Sequence, residues 1–429
     1  MSLKRKLFGN GIANAAGIGW TAVLQLISVP ILTSVWGAER YGIWLMLTTI
    51  PTYFALSDLG FATAATSDMT MSVAKGEHNA AISTFNSVWV LILAVSAASV
   101  AIASTLLWMP FVSDTALTWW PVANGKVLFY LVAYSAAVLA SRIILAGFRC
   151  SGHYAFGTLA YDSLVFAEGM FVLGMAYMGY DFTECAIGFL LARLSLLVVM
   201  SLQLRRTVPW LTLGFSRANG TELRRLLGPA LAAMAIPTAL AVNIQGMLLI
   251  TGIFVSTTAV AVLGPVRTAS RIAIQLVGIV NRATMPEFSS ALAQGDVNAR
   301  SKLLRINILM VMLVLMPGAI LFGLYGKYLV TFWTGGRINP SADFVELIAV
   351  AMFLQGLWYF GSNLLVSVNM HIVFSKKLVL VSLATIIIAI PLGNIFGLIG
   401  IAVAILAAEV ASFILIISPF LGQSRAVLR

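Results

Sequence analysis

Charge is what this sequence has least of. Asp, Glu, Lys and Arg make up only 10% of its 429 residues, against about 25% in a soluble domain. Hydrophobic residues reach 60%, with a mean hydropathy of +0.98. So little polar surface cannot cover a core in water, so the bilayer must be the solvent. Cysteine is nearly absent too. Cys150 and Cys185 are the only two and fall toward opposite faces in the topology below, which argues against a disulfide between them. The three histidines, His78, His153 and His371, lie between apolar runs. No metal-ligand spacing exists and no cofactor is expected.

Acid is scarcer than base. Lys and Arg number 26 against 15 Asp and Glu, a net charge of +11 with a pI near 9.9. In a soluble protein that balance would point to nucleic acid. Here the basic groups sit between apolar runs, at Lys4-Arg5-Lys6, Arg205-Arg206, Arg224-Arg225 and Lys376-Lys377. That is the positive-inside pattern of a membrane protein and not a groove for phosphate backbones. The first apolar run, 12–36, exceeds the roughly 7–15 residues of a signal-peptide core. It reads as a retained first helix with its N-terminus in the cytoplasm.

Apolar spans of about 20 residues lie near 12–36, 43–66, 84–110, 125–147, 158–180 and 184–203, then 229–252, 259–283, 303–325, 343–366, 378–396 and 398–420. With the N-terminus inside, cytoplasmic segments hold eighteen of the 26 basic residues and outer loops four. The chain also repeats itself. Ala74-Lys75-Gly76-Glu77-His78-Asn79-Ala80-Ala81 parallels Ala293-Gln294-Gly295-Asp296-Val297-Asn298-Ala299-Arg300, 219 positions on. Nearly the same shift sets Gln25 beside Gln245, and Gly152-His153-Tyr154-Ala155-Phe156 beside Met370-His371-Ile372-Val373-Phe374. Several matches at one offset indicate duplication. An even number of helices per half makes the repeats parallel. The expected fold is an all-α polytopic membrane protein: about 12 transmembrane helices in two parallel six-helix bundles around a central cavity. The N-lobe would span 1–204, a cytoplasmic linker 205–228, and the C-lobe 229–429.

Charges inside spans cost at least about 2.5–3.5 kcal/mol each at a helix centre, so they are the informative residues. Arg142, Arg193, Arg267 and Arg271 qualify, the last two sharing a helix face. Each either lines a hydrated interior, pairs with a buried acid or, for Arg142 near a helix end, snorkels to the interface. The buried acids are Asp58, Asp162, Glu168 and Glu409, with Glu346 close to an outer end. Asp58 and Glu168 bind a proton or Na⁺, or neutralise an arginine. Asp162 is a further ion-coupling candidate or a solvated cap. Guanidinium forks match phosphate oxygens and stay charged, so an excess of arginine argues for an anionic substrate. Pro30, Pro51, Pro237, Gly264-Pro265 and Pro391 interrupt the spans, Gly264-Pro265 being the strongest candidate for a functional break. Trp36, Tyr41, Trp44, Trp119, Trp120 and Trp333 read as interface anchors.

Gly37-Ala38-Glu39-Arg40-Tyr41-Gly42-Ile43-Trp44, then Leu56-Ser57-Asp58-Leu59-Gly60-Phe61, then Ala74-Lys75-Gly76 resemble the N-terminal half of the O-antigen flippase and polysaccharide-transporter family. That family belongs to the multidrug/oligosaccharidyl-lipid/polysaccharide exporter superfamily. The resemblance implies a V-shaped pair of bundles in the bacterial inner membrane, with both termini cytoplasmic. Their central cavity would open alternately inward and outward, moving an undecaprenyl-diphosphate-linked oligosaccharide to the periplasmic leaflet. It also implies a cationic lumen and association with a polysaccharide polymerase and a chain-length regulator. Asp58 is the one buried charge carried over through a local motif. The diphosphate would dock on Arg193, Arg267 and Arg271 with Arg142 assisting, while H⁺ or Na⁺ moves through Asp58, Glu168 or Asp162. A cation-coupled drug or metabolite antiporter of the same superfamily is the alternative. A polysaccharide polymerase or ligase fits less well, because the outer loops 111–125 and 326–342 are short and lack histidine.

Overall fold

A backbone in hydrocarbon must satisfy its own hydrogen bonds, which leaves helices or closed barrels. Long runs of Leu, Ala and Met, with few prolines, select helices. The computed structural model describes residues 3–54, 56, 60–108, 125–293, 297–367 and 372–428, and among them no strand occurs. The elements are α1 (Leu3–Leu47), α2 (Thr49–Phe54), α3 (Phe61–Ala74), α4 (His78–Trp108), α5 (Gly125–Cys150), α6 (Tyr154–Tyr177) and α7 (Phe182–Thr207). Then come α8 (Gly220–Ala241), a π-helical turn (Val242–Gly246), α9 (Met247–Phe254), α10 (Thr257–Ala293), α11 (Val297–Trp333), α12 (Ala342–Ser367) and α13 (Ile372–Leu428).

Ten helical stretches among the described residues are long and apolar enough to cross a membrane. Two are double length: Gly9–Phe54 with 46 residues and Lys376–Ile417 with 42. Each is broken by a glycine at positive φ, Gly37 (φ 71°) and Gly397 (φ 58°), a conformation that a Cβ disfavours. Counting both halves gives twelve helices. Exposed Leu191, Val198, Leu313, Leu324 and Ile387 would be untenable in water and face acyl chains. Hydroxyls inside the spans return to their own helix, as in Thr33 to Val29 O (2.8 Å) and Thr251 to Met247 O (2.7 Å). This is a multi-pass membrane protein.

The duplication is visible in the element boundaries. α4 and α11 start 219 positions apart, and α6 and α13 start 218 apart. The left-handed Gly179 between α6 and α7 corresponds to Gly397. Of the expected helix breakers, Gly264-Pro265 leaves α10 continuous, because Gly264 serves packing: a Cβ there would meet Leu45 Cδ1 at 2.5 Å. The irregularity falls instead at the π turn, five residues beyond Pro237.

Contacts divide the chain into two units, Met1–Val35 with Met46–Met234, and Trp36–Leu45 with Ala235–Arg429. The first has a core built from α3, α4, α5, α7 and the stretch that follows, including Phe85, Ile143, Phe148, Leu204, Leu211 and Leu226. Segment 205–228, expected as a cytoplasmic linker, packs apolar residues here. Arg225 of α8 clasps Asp68 of α3 through both carboxylate oxygens (2.7 and 2.8 Å), with Thr84 donating to the same acid (2.8 Å). The second unit centres on Trp358, Phe374, Leu378 and Ile416, with Val311, Leu315 and Phe360 beside them. Trp36 and Trp44 are buried and stacked edge-on at 5.2 Å, with Tyr41 buried as well. They are core residues of this corner and not interface anchors. Their segment reaches the second unit because Gly42 lies directly against the Thr257 carbonyl, the close backbone approach that small residues permit. Trp119 and Trp120 lie outside the described residues.

Gly42→Val should cost about 1–3 kcal/mol by overpacking, read as a lower melting temperature in detergent. Gly19→Ala, which enters open space, should leave it level or raised. Asp68 lies outside the spans, and its hydrogen bonds from Arg225 hold its carboxyl below the usual range against the opposing effect of burial. Its contribution to stability is therefore complete above its unfolded value of about 3.9 and is lost as pH falls through the lower folded value. Melting curves from neutral pH to pH 3 should show less acid destabilisation at the low end in Asp68→Asn than in the unaltered chain.

Candidate functional site

Arg193 of α7 enters a buried network in the first unit, in which only its Nε and Glu168 Oε2 have no hydrogen-bond partner among the described residues. Its Nη2 donates to Glu168 Oε1 of α6 at 2.8 Å, and both side chains are 3% exposed. Nη1 donates to the Tyr161 hydroxyl and Nη2 to the Tyr134 hydroxyl, each at 3.2 Å, while Tyr134 donates to Glu168 Oε1 at 2.7 Å. The guanidinium also stacks against both rings, 5.4 and 5.8 Å from their centroids. The sequence requires some such arrangement, since a lone guanidinium or carboxylate at this depth is too costly. It could not show that these two charges find each other across α6 and α7. An acid satisfies this arginine one for one, so the pair serves the fold better than it serves a substrate or an ion.

Asp162 lies nearly two turns nearer the start of α6. Its carboxylate covers Gly17 of α1, where any Cβ would strike it, and Arg149 is the neighbouring cation. Arg149 in turn donates to Thr158 Oγ1 (3.3 Å) and sits over the Tyr154 ring. Arg142 of α5 is half-buried and engaged. Asp58 lies outside the described residues.

The second unit is arranged differently. Arg267 of α10 is buried and donates to two acceptors on one neutral residue: Nη1 to Asn243 O (3.1 Å) and Nη2 to Asn243 Oδ1 (3.2 Å). Asn243 stands in the π turn, where the hydrogen-bond step lengthens from four residues to five. Such a step leaves a carbonyl free for a side chain. Glu409, in the half of α13 beyond Gly397, is 1% exposed and accepts Trp358 Nε1–H of α12 at 2.6 Å. Arg267 and Glu409 act on each other through space but form no ion pair. Arg271 is half-buried and has no hydrogen-bond or ion-pair partner among the described residues. Arg267 is thus the one guanidinium acting on that carboxylate among the described residues, with Arg271 one turn further along α10.

The four arginines therefore separate. Arg142 and Arg193 belong to the first unit, Arg267 and Arg271 to the second; Arg193 is ion-paired to an acid, whereas Arg267 and Arg271 have none bound among the described residues. Asn243 and Trp358 carried no sequence signal as site residues. An Asn and a Gln inside an apolar span just after Pro237 was the only available hint. Arg193→Ala should destabilise the protein by about 3–5 kcal/mol by leaving Glu168 buried and uncompensated. Combining it with Glu168→Gln should recover much of that loss in a thermal melt, a coupling that independent sites lack.

No protein-family model and no curated protein sequence matches the chain. Solved structures do. A multidrug resistance MATE family transporter of the MOP superfamily, inward-facing, is similar over 95% of this chain and 95% of its own, at 14% identity and a TM-score of 0.73. An outward-facing structure of such a transporter is similar over 100% and 97%, at 12% identity and a TM-score of 0.66. A MOP superfamily transporter from Pyrococcus furiosus, noted for a binding pocket of reverse polarity and a different function, is similar over 99% and 97%, at 13% identity and a TM-score of 0.66. At such identities the likeness is one of fold. The chain is built on the twelve-helix fold of the MATE transporters of the MOP superfamily.

Proposed function

We propose that this chain is a membrane carrier working by alternating access, and that its cargo is anionic. The observation that carries the second part is Arg271, half-buried and without an acid partner among the described residues, one turn from Arg267, whose ligands are neutral. At an effective dielectric of 20, one guanidinium–phosphate contact is worth roughly 4 kcal/mol, so the pair could offset part of the hydration that a diphosphate loses. With Arg193 tied to Glu168, Arg267 and Arg271 take over the role that the sequence spread across four residues. The resemblance noted above names the cargo class: a polyprenyl-diphosphate-linked oligosaccharide moved from the cytoplasmic to the periplasmic leaflet. The orientation follows from the basic segments, which set both termini in the cytoplasm. An interior-negative potential favours export of an anion by about 2.3 kcal/mol per charge per 100 mV.

A second reading has an observation in its favour as well. The fold is shared with multidrug MATE transporters, which supports a cation-coupled drug or metabolite antiporter. The neighbour with a pocket of reverse polarity supports variation of cargo charge on one scaffold. Proteoliposomes decide between the two. The chain should accelerate leaflet exchange of a fluorescent polyprenyl-diphosphate oligosaccharide, and Arg271→Glu should abolish it while the protein still inserts and melts normally. Efflux of a cationic dye, retained by Arg271→Glu, would establish the antiporter instead. Movement of neither would remove the carrier reading.

A further inference from the structure

We infer that Glu409 is a proton-binding site in the second unit, and that its protonation state is read by Arg267, which moves between Asn243 of the π turn and the Glu409 carboxylate. In linking that proton to cargo, the inference rests on the carrier reading above; as a proton site it stands alone.

The geometry leads there in three steps. Glu409 is fully enclosed, yet among the described residues its one hydrogen bond comes from a neutral indole, Trp358 Nε1–H to Oε2. An ionised carboxylate so placed would be among the most costly groups in a bilayer. A carboxylic acid would not be: it keeps the indole bond on Oε2 and holds its proton on Oε1. Second, a guanidinium capable of neutralising Glu409 stands near but is spent on Asn243. The observed arrangement is therefore the proton-loaded one. Third, losing the proton leaves a bare negative charge beside a mobile cation. Arg267 then turns to Glu409 and gives up the Asn243 carbonyl, and the π turn loses the side chain that satisfies it. Deprotonation is thereby converted into a change in the helix that runs from α8 through the π turn to α9. By the same movement it withdraws Arg267 from an anion bound beside Arg271.

No other charge confuses this reading among the described residues. Of the elements around Glu409, α10 supplies Arg267 and, a turn further on, Arg271; α12 supplies Trp358 and Tyr359, with Asp343 and Glu346 exposed near its other end; and the π turn and α9 contain no ionisable residue. On α11, Lys302 and Arg305 are exposed, as are Tyr325 and Tyr328. Lys327 lies close to the far end of that helix. Lys376 and Lys377, at the start of α13, are exposed.

Infrared difference spectra of the full chain in lipid, recorded across a pH titration, test the site without any cargo. A protonated-carboxyl band should grow on acidification and vanish in Glu409→Gln; a band unchanged in that variant overturns the proposal. Should Glu409→Gln not fold, Trp358→Phe removes the indole donor and must move the midpoint of the same band, and an unmoved midpoint overturns it equally. The link to cargo is read from binding of geranyl diphosphate. Wild type should bind it more tightly as pH falls, beyond any change that Glu409→Gln shows over the same range, and equal pH dependence in the two refutes the link. Absence of geranyl diphosphate binding in the wild type would count against the anionic cargo, while the infrared band would still decide the proton site.

Discussion

Each charge placed in a bilayer needs something to replace its water, and that requirement organises this protein. The two units meet it in opposite ways. Around Arg193 the replacement is extensive, since a carboxylate, two phenolic hydroxyls and two aromatic faces surround one guanidinium, and only Arg193 Nε and Glu168 Oε2 of the pair stay buried without a hydrogen bond among the described residues. Such a network, its cation already matched by an acid, can hold α5, α6 and α7 in register. Around Arg267 the replacement is partial. A neutral amide and a backbone carbonyl solvate the cation, the nearby acid is bonded elsewhere, and the next guanidinium along the helix has no partner among the described residues. Incomplete solvation is what allows a second arrangement to compete with the first.

The same economy shows in how helices meet. A bilayer supplies no hydrophobic drive between apolar helices, so contact depends on close backbone approach and on polar bonds. Gly42 against the Thr257 carbonyl is the first kind, and the Arg225–Asp68 clasp near the membrane edge is the second. Both tie a segment to a unit other than the one its place in the chain would suggest. Trp36–Leu45 joins the second unit, and α8 as far as Met234 stays with the first. The helix that begins at Gly220 therefore starts in one unit and ends in the other, with the π turn in its second half.

Much of this was legible without coordinates. Hydropathy placed some spans within a few residues, as with 125–147 against Gly125–Cys150, because twenty-residue apolar runs leave little choice; α10 and α11 run well past the ends expected for them, and 43–66 is divided among α1, α2 and α3. The repeat was legible because short matches, Gly76 with Gly295 and His153 with His371 among them, recur at nearly one offset. Partnership was not. Arg193 and Glu168 are 25 residues apart, and nothing in a linear reading distinguishes that pairing from Arg193 with Asp162 or from Arg271 with Glu409. Trp36 and Trp44 looked like boundary residues because boundaries were counted along the chain, and the corner at Gly37 turns them inward. The π turn was invisible because its sequence, Val242-Asn243-Ile244-Gln245-Gly246, has ordinary helix composition. Proline drew attention to α10, where the helix runs straight through.

The sharing of Arg267 sets the sign of any coupling. An anion resting on Arg267 and Arg271 draws positive potential away from Glu409, and a bare carboxylate there draws Arg267 away from the anion. Proton and anion binding are then mutually favourable, and linkage makes the preference equal in both directions. A cationic cargo in the same place would reverse it, with proton and cargo excluding one another. The charge of the cargo and the direction of the proton are thus one question. If the cargo is a diphosphate, the proton travels with it, and its single positive charge cancels only part of the headgroup. The loaded carrier still moves net negative charge, so an interior-negative potential still favours export. No separate downhill ion is then required to drive the outward step, and the proton's task is to make loading depend on the state of the π turn.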